Sequence, residues 1–179
     1  VYEHPKGIDF FTNDMILAKI NAEVDTMAAQ KYKISAYPTI VMIDENGEEV
    51  DRLVGYLPVD DFIATFEDYS KGIGTLDDLL ARVAETEDRE LAMQIADKYK
   101  YRGRPDEAEN WFGRVIELGE PTDSLSGIAR LSVADLHRRA GEWDQALTAY
   151  QDIEKEFKEG VAGQDAVIWQ AIVLIQKGD

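Results

Sequence analysis

Hydrophobic and polar positions follow two different patterns along the chain, and the pattern changes near residue 74. Before that point, short apolar runs rich in β-branched residues are separated by turn signals, which is typical of strands joined by turns and short helices. After it, apolar residues recur three and four positions apart, and no strand pattern appears through Asp179. The two patterns predict an α/β region followed by an all-α region.

Three segments of the first region are predicted to be strands. Thr39–Asp44 is a short apolar run rich in β-branched residues, which favours a buried strand. Asn46 and Gly47 follow it, and this dipeptide between two strand-like runs is a strong hairpin signal, so Glu49–Val54 is the predicted second strand of the hairpin. Met15–Ala22 starts with an apolar run and then alternates, which predicts a further strand before the hairpin.

Two helices are predicted in the same region. Asp25 or Thr26 can cap a short helix that runs to Tyr32. Pro58 is suited to be the first residue of a helix over Val59–Tyr69 because its fixed backbone angle matches the first helical turn. The chain before Phe11 has no clear periodicity and carries only a turn signal around Pro5.

The all-α region contains two similar segments whose matching positions are 38 residues apart, as between Gly103 and Gly141. Thr75 is the predicted cap of the helix that precedes them. Each segment has a helix, a glycine for the turn, and a second helix with an alanine for close approach and an aromatic residue to fill the space between the helices. These shared positions are Ala96, Tyr99, Gly103, Ala108 and Phe112 in the first segment, and Ala134, His137, Gly141, Ala146 and Tyr150 in the second.

A third segment begins at Gln164 with a strongly apolar helix over Ala166–Gln176, followed by a turn at Lys177-Gly178-Asp179. Leaving many apolar side chains of one helix in water carries a large free-energy cost. We therefore expect Trp169, Ile172 and Ile175 to be buried against something beyond their own helical pair. A second copy of the chain is one candidate, so self-association through this helix is a possibility, and docking on the α/β region is another.

The charge balance excludes some classes of partner. The chain has 36 acidic and 19 basic residues, a net charge of −17, which repels phosphate backbones and argues against nucleic acid and anionic membranes as partners. No apolar run approaches the length of a membrane span. No signal peptide is predicted within the sequence, so the chain as it stands indicates a cytoplasmic protein, and a removed leader would make it periplasmic or secreted.

Cysteine is absent, which excludes disulfides and thiolate metal sites within these residues. The two histidines, His4 and His137, are far apart in the sequence and do not indicate a metal site. No glycine-rich phosphate loop and no nucleophile motif is present, so no catalytic residue and no cofactor is predicted.

The segment around Pro38 resembles part of a known family. Lys31–Thr39, the predicted hairpin and the dipeptide Gly55–Tyr56 resemble the C-terminal half of a thioredoxin domain, and the resemblance covers about residues 1–73. It implies that the Tyr37–Pro38 peptide bond is cis. It also implies that Tyr37, Pro38 and Thr39 bind a substrate backbone, with Gly55 and Tyr56 in support.

In that family a Cys-x-x-Cys pair starts a helix after a central strand, and neither the pair nor that strand is found in these 179 residues. Two explanations stay open. The natural protein has further residues before Val1, which would restore thiol–disulfide exchange, or the chain is a variant that fills the gap in another way. The predicted fold is therefore a thioredoxin-like domain over residues 1–73 that lacks the family's central strand and its Cys-x-x-Cys pair.

The helical segments resemble tetratricopeptide repeats, which are helical hairpins of about 34 residues that stack on one another. This predicts an all-α repeat domain over residues 74–179, with units near 89–121 and 127–160 and a partial unit over 164–179. The resemblance implies client proteins or peptides as partners. Lysine and asparagine are missing from the positions with which some such repeats clamp a terminal carboxylate, so that ligand is not predicted.

Two functions follow as hypotheses. One is a bacterial-type thioredoxin-family protein of the oxidoreductase or redox-chaperone type, which these residues could not serve by dithiol exchange because they contain no cysteine. The other is a non-enzymatic adaptor or co-chaperone that binds clients through the repeats and the proline loop.

Overall fold

A computed structural model describes residues 1–178, and its contacts group the chain into two compact units. The first unit comprises residues 1–81 and 101–103, and the second comprises residues 82–100 and 104–179. The boundary predicted after residue 73 stays a prediction. The described residues form two β-strands and nine α-helices: α1 (Pro5–Asn13), α2 (Thr26–Lys31), β1 (Thr39–Ile43), β2 (Glu49–Val54), α3 (Val59–Ser70), α4 (Leu76–Glu85), α5 (Arg89–Tyr101), α6 (Pro105–Glu117), α7 (Ser124–Arg139), α8 (Trp143–Glu156) and α9 (Val161–Lys177).

The sheet of the first unit is the predicted hairpin. Strands β1 and β2 are antiparallel, with Thr39 opposite Val54 and Val41 opposite Arg52. Gly47 has a φ of 77°, the left-handed conformation that the turn requires and that glycine adopts without steric cost. This confirms the hairpin prediction.

Aromatic side chains of α1 and α3 form the core of the first unit. Phe10, Phe62 and Phe66 are buried, and Phe62 stacks on Phe66 with ring centroids 4.5 Å apart. One face of the sheet contributes Ile40, Met42 and Leu53 to the same cluster.

Helix α1 was not predicted. It begins at Pro5, and the Nδ1 atom of His4 accepts a hydrogen bond from the main-chain N–H of Lys6, which is the arrangement of an N-cap. The residues interpreted as a turn signal are therefore a helix start, since proline at the first helical position gives the same local signature. In α3, by contrast, Pro58 is itself the cap and Val59 is the first helical residue.

The strand predicted over Met15–Ala22 is wrong. Residues 15–21 have no regular structure, and Ile16 is fully exposed. A strand forms only when a neighbouring strand completes its hydrogen-bond ladder. The sheet among the described residues has two strands, and neither pairs with this segment.

The second unit is helical throughout its described residues. Helix α7 packs against α6, α8 and α9, and α8 packs against α9. Ala134 of α7 and Ala146 of α8 belong to one buried cluster, together with Tyr150 and Val173. The glycines at the ends of α5, α7 and α9 all have positive φ, with values of 63°, 77° and 90° at Gly103, Gly141 and Gly178. The small-residue positions predicted for the second helical pair are thus confirmed as buried contacts.

Helix α9 buries only part of its apolar surface. Trp169 packs against the buried cluster, with its ring stacked 6.4 Å from that of Tyr150, and Ile172 is half-buried. Ile175 is 75% exposed in the single chain, so its burial against a further partner stays a prediction. Asp179, the last residue of the predicted third turn, lies outside the described residues.

Candidate functional site

The loop before β1 brings together the residues predicted to bind a backbone. The Tyr37–Pro38 peptide bond is cis, as predicted. Tyr37 is 72% exposed, Pro38 is exposed, and Thr39 is half-buried, with its hydroxyl donating a hydrogen bond of 2.7 Å to the Ala36 carbonyl. Tyr37 and Pro38 are therefore accessible to a ligand, whereas the Thr39 side chain is held by its hydrogen bond within the loop.

The supporting residues lie at the same end of the hairpin. The N–H of Gly55 donates to the Pro38 carbonyl at 2.9 Å, which extends the ladder by one pair beyond β1. Gly55 has a φ of 96°, and a side chain there would meet no atom within 4 Å, so its conformation and not lack of space favours glycine. Tyr56 follows it and is exposed.

Because Gly55 bonds to Pro38, the register of the hairpin determines which main-chain groups face outward. In an antiparallel pair, successive residues alternate between bonding to the partner strand and pointing away from it. Ile40 and Met42 therefore bond to β2, and the N–H and C=O groups of Thr39 and Val41 point away from it. No described residue forms a hydrogen bond with these outward groups.

The outer edge of β2 is different because side chains occupy it. The Arg52 N–H donates to the Asp51 carboxylate at 2.6 Å, and the Tyr69 hydroxyl donates to the Arg52 carbonyl at 3.4 Å. Burial raises the pKa of the Tyr69 phenol to about 12, and the charge of Asp51 adds to the rise. Side chains of this kind protect a sheet edge from pairing with another chain, and β1 has no such protection.

A buried cluster of charged side chains lies beside the sheet in the first unit. Arg52 donates through Nε to Glu49 at 2.8 Å and through its terminal nitrogens to the carbonyls of Tyr101 and Tyr32, at 2.6 and 2.8 Å. Arg102 pairs with Glu49 and with Asp51, each at 3.2 Å. The second oxygen of Asp51 accepts the N–H of Leu76 at 2.8 Å. Every charge in the cluster thus has an opposite charge within ion-pair distance, and Arg52 and Asp51 also bond to main-chain groups, as burial requires.

Sequence reasoning missed this cluster. Asp51 and Arg52 are adjacent in β2, so their side chains lie on opposite faces of the strand, and both are buried. The signal available was the pair of opposite charges in the middle of a strand. It did not reveal the partners, because Arg102 lies 50 positions further along the chain.

The described residues contain no group of three or more histidine, aspartate and glutamate side chains arranged to hold a metal ion. None of the helices in residues 1–178 has the length and apolar character needed to cross a membrane.

Comparison with known families agrees with the geometry of the first unit. A family model described as a thioredoxin-like domain matches residues 5–70. No curated protein matches the chain. Residues 5–70 therefore form a thioredoxin-like domain with a small two-stranded sheet, a mostly helical region follows it, and the tetratricopeptide character of that region stays a prediction.

Proposed function

We propose that this protein binds client polypeptides in extended conformation along the Tyr37–Thr39 loop and the open edge of β1. The observation that carries the proposal is the contrast between the two sheet edges. The main chain of Arg52 on β2 is bonded to side chains, whereas the outward groups of Thr39 and Val41 on β1 have no partner among the described residues. An added strand would take up these groups, and main-chain hydrogen bonds of this kind bind peptides with little demand on their sequence.

In this proposal Tyr37 and Pro38 contact the client where it passes the loop, Thr39 bonds to its backbone, and Gly55 and Tyr56 support the loop. The 179 residues supply no thiol, so they bind clients without thiol–disulfide exchange. An oxidoreductase would need a Cys-x-x-Cys pair from residues outside this sequence. Intact mass and thiol labelling of the natural protein separate the redox-chaperone function from that of an adaptor or co-chaperone.

The test uses a ten-residue peptide of alternating valine and threonine, and a matched peptide that is N-methylated at every residue, so that neither of its edges can donate a main-chain hydrogen bond. We expect the first peptide to slow hydrogen exchange at the amides of Thr39 and Val41. The amides of Ile40 and Met42 should change less because they already bond to β2. The N-methylated peptide has the same side chains but cannot form the ladder, so it should not bind. Equal binding of both peptides, or protection without this alternation, would contradict the proposal.

A second candidate function is self-association through α9. Ala96, Ala134 and Ala171 each lie seven positions before the glycine that ends their helix. The first two are fully buried and the third is exposed, next to the exposed side chains of Leu174 and Ile175. We propose that a second copy covers this face, which brings Ile172 and Ile175 into contact and completes the burial of Trp169.

Sedimentation velocity at several concentrations tests self-association. The substitution Ile175→Glu should shift any dimer towards monomer. Gln164→Glu adds the same negative charge at an exposed position near the start of α9 and should leave the distribution unchanged. A strictly monomeric wild-type chain would refute this candidate and leave the client-binding proposal untouched.

A further inference from the structure

A depression of about 220 Å³ opens on the first unit, and none of its lining residues belongs to the Tyr37–Thr39 loop. It is lined by the end of α2, the hairpin turn and the turn after α5, through Lys31, Tyr32, Lys33, Gly47, Glu48, Glu49, Arg52 and Arg102. Since a water molecule occupies about 30 Å³ in the liquid, the space admits a small organic group.

Two lysines at the rim have no carboxylate partner, unlike most other lysines and arginines among the described residues. Lys31 Nζ donates to the Gly47 carbonyl at 3.0 Å, and Lys33 Nζ donates to the Gly103 carbonyl at 3.4 Å. No described carboxylate lies within ion-pair distance of either ammonium group. An ammonium group has three donors, so both lysines retain donors for a ligand.

The backbone positions these lysines. Lys33 has a φ of 50° and is the one non-glycine residue with positive φ among those described. This conformation ends α2, since the N–H of Ile34 then donates to the Ala29 carbonyl at 2.8 Å, and it sets the direction of the Lys33 side chain. A side chain added at Gly103 would approach Lys33 to 3.0 Å, and one at Gly47 would approach Lys31 Nζ to 3.2 Å. Each lysine thus lies in a space that a glycine keeps open.

The charges of the lining determine which ligand fits. In the floor, Arg52 and Arg102 are balanced by Glu49 and Asp51, to which they are bonded. At the rim, the two lysines face the single carboxylate of Glu48, which leaves one net positive charge. A phosphate monoester carries nearly two negative charges near neutral pH, whereas a carboxylate carries one.

We infer that this depression binds a carboxylate group, held between Lys31 and Lys33, from an acidic peptide side chain or a small organic acid. The site is separate from the edge of β1 and does not depend on client binding there. Its ligand is recognised by charge, so binding weakens as salt screens the lysines.

The experiment follows backbone amide NMR shifts of the ¹⁵N-labelled protein during titration with two probes that each carry one carboxylate, acetyl-Gly-Glu-Gly-amide and propionate. We expect saturable shifts at residues 31–33 and 47–49 that weaken with added NaCl. Acetyl-Gly-Gln-Gly-amide has the same shape as the tripeptide without the carboxylate and should give none. Binding of the tripeptide alone identifies a peptide ligand, and equal binding of propionate identifies a free acid. Absence of saturable shifts with both probes would overturn the inference.

Substitutions distinguish binding at the depression from a non-specific effect of the protein's net charge. Lys31→Gln combined with Lys33→Gln should weaken binding by about tenfold or more, because charge-assisted hydrogen bonds contribute that much. Lys19→Gln combined with Lys71→Gln changes the net charge equally at exposed positions outside the depression and should leave binding unchanged. Lys31→Arg combined with Lys33→Arg keeps the charges and should retain binding. Equal loss in both glutamine variants would show a non-specific charge effect and refute the site.

Discussion

Both units of this protein have an apolar core, and the first unit also buries charged side chains. In the first unit, the strand β2 places Asp51 and Arg52 in the interior, where ion pairs and main-chain hydrogen bonds balance them. In the second unit, the cluster around α8 consists of alanines and aromatic residues such as Ala146 and Tyr150. The first interior depends on partners that are distant in sequence, and the second depends on close helix contacts that repeat along the chain.

The largest expected effect on stability comes from a substitution that disrupts the buried cluster of charged side chains in the first unit. Asp51→Ala removes the acceptor of the Leu76 and Arg52 N–H groups and one partner of Arg102. Removing one member of a buried ion pair leaves the other charge uncompensated, so we expect the free energy of unfolding to fall by about 3–5 kcal/mol. Urea unfolding followed by far-UV circular dichroism measures it.

Glu45→Ala is the matched control because it removes an exposed carboxylate from the same hairpin. It should change the free energy of unfolding by no more than about 0.5 kcal/mol. If both variants lost equally little, the cluster would not stabilise the first unit, and the contrast between the two interiors would disappear.

A smaller effect tests the close packing of the second unit. Ala146→Leu inserts a larger side chain where α7 and α8 meet, and overpacking of this kind costs about 1–3 kcal/mol. Tryptophan fluorescence during unfolding reports on it directly, since Trp143 and Trp169 pack against this cluster. Ala84→Leu makes the same change at an exposed position of α4 and should be tolerated. Equal losses in the two variants would argue against a specific close approach at Ala146.

The smallest effect concerns an ion pair of the second unit. Arg89 binds both carboxylate oxygens of Asp123, at 2.8 and 2.9 Å, and also donates to the Ser126 hydroxyl. The hydrogen bonds from Arg89 lower the pKa of Asp123 to about 2. A carboxylate with a lowered pKa stabilises the folded state above its ordinary pKa, and this contribution is lost as the pH falls through the folded value.

Asp123→Asn keeps a good helix cap and removes the charge. The wild type should therefore exceed the variant in stability above about pH 4, and the difference should vanish as the pH approaches 2. Thermal melts of both proteins between pH 2 and 5 measure the difference. A difference that does not change with pH would mean that the cap and not the charge is responsible.

Elements whose signals are local could be predicted from the residues alone. These elements are strand β1, the turn at Gly47 and the repeated alanine and glycine positions of the helices. Each depends on neighbours within one turn or one hairpin. The same local signals located the loop at Pro38 through its resemblance to thioredoxin. Helix α1 is the local element that was missed, because a proline at a helix start and a proline in a turn give the same local sequence pattern.

Features that depend on distant partners became visible only in the folded chain. The alternating segment after Met15 is not a strand, since a strand needs a neighbour that its own residues cannot supply. The burial of Arg52 depends on the carbonyls of Tyr32 and Tyr101, from two other segments of the first unit, and on the carboxylate of Glu49 in its own strand. The protected edge of β2, the open edge of β1 and the depression at Lys31 and Lys33 arise in the same way, because hydrogen-bond and charge partners are matched in space and leave no periodic pattern along the chain.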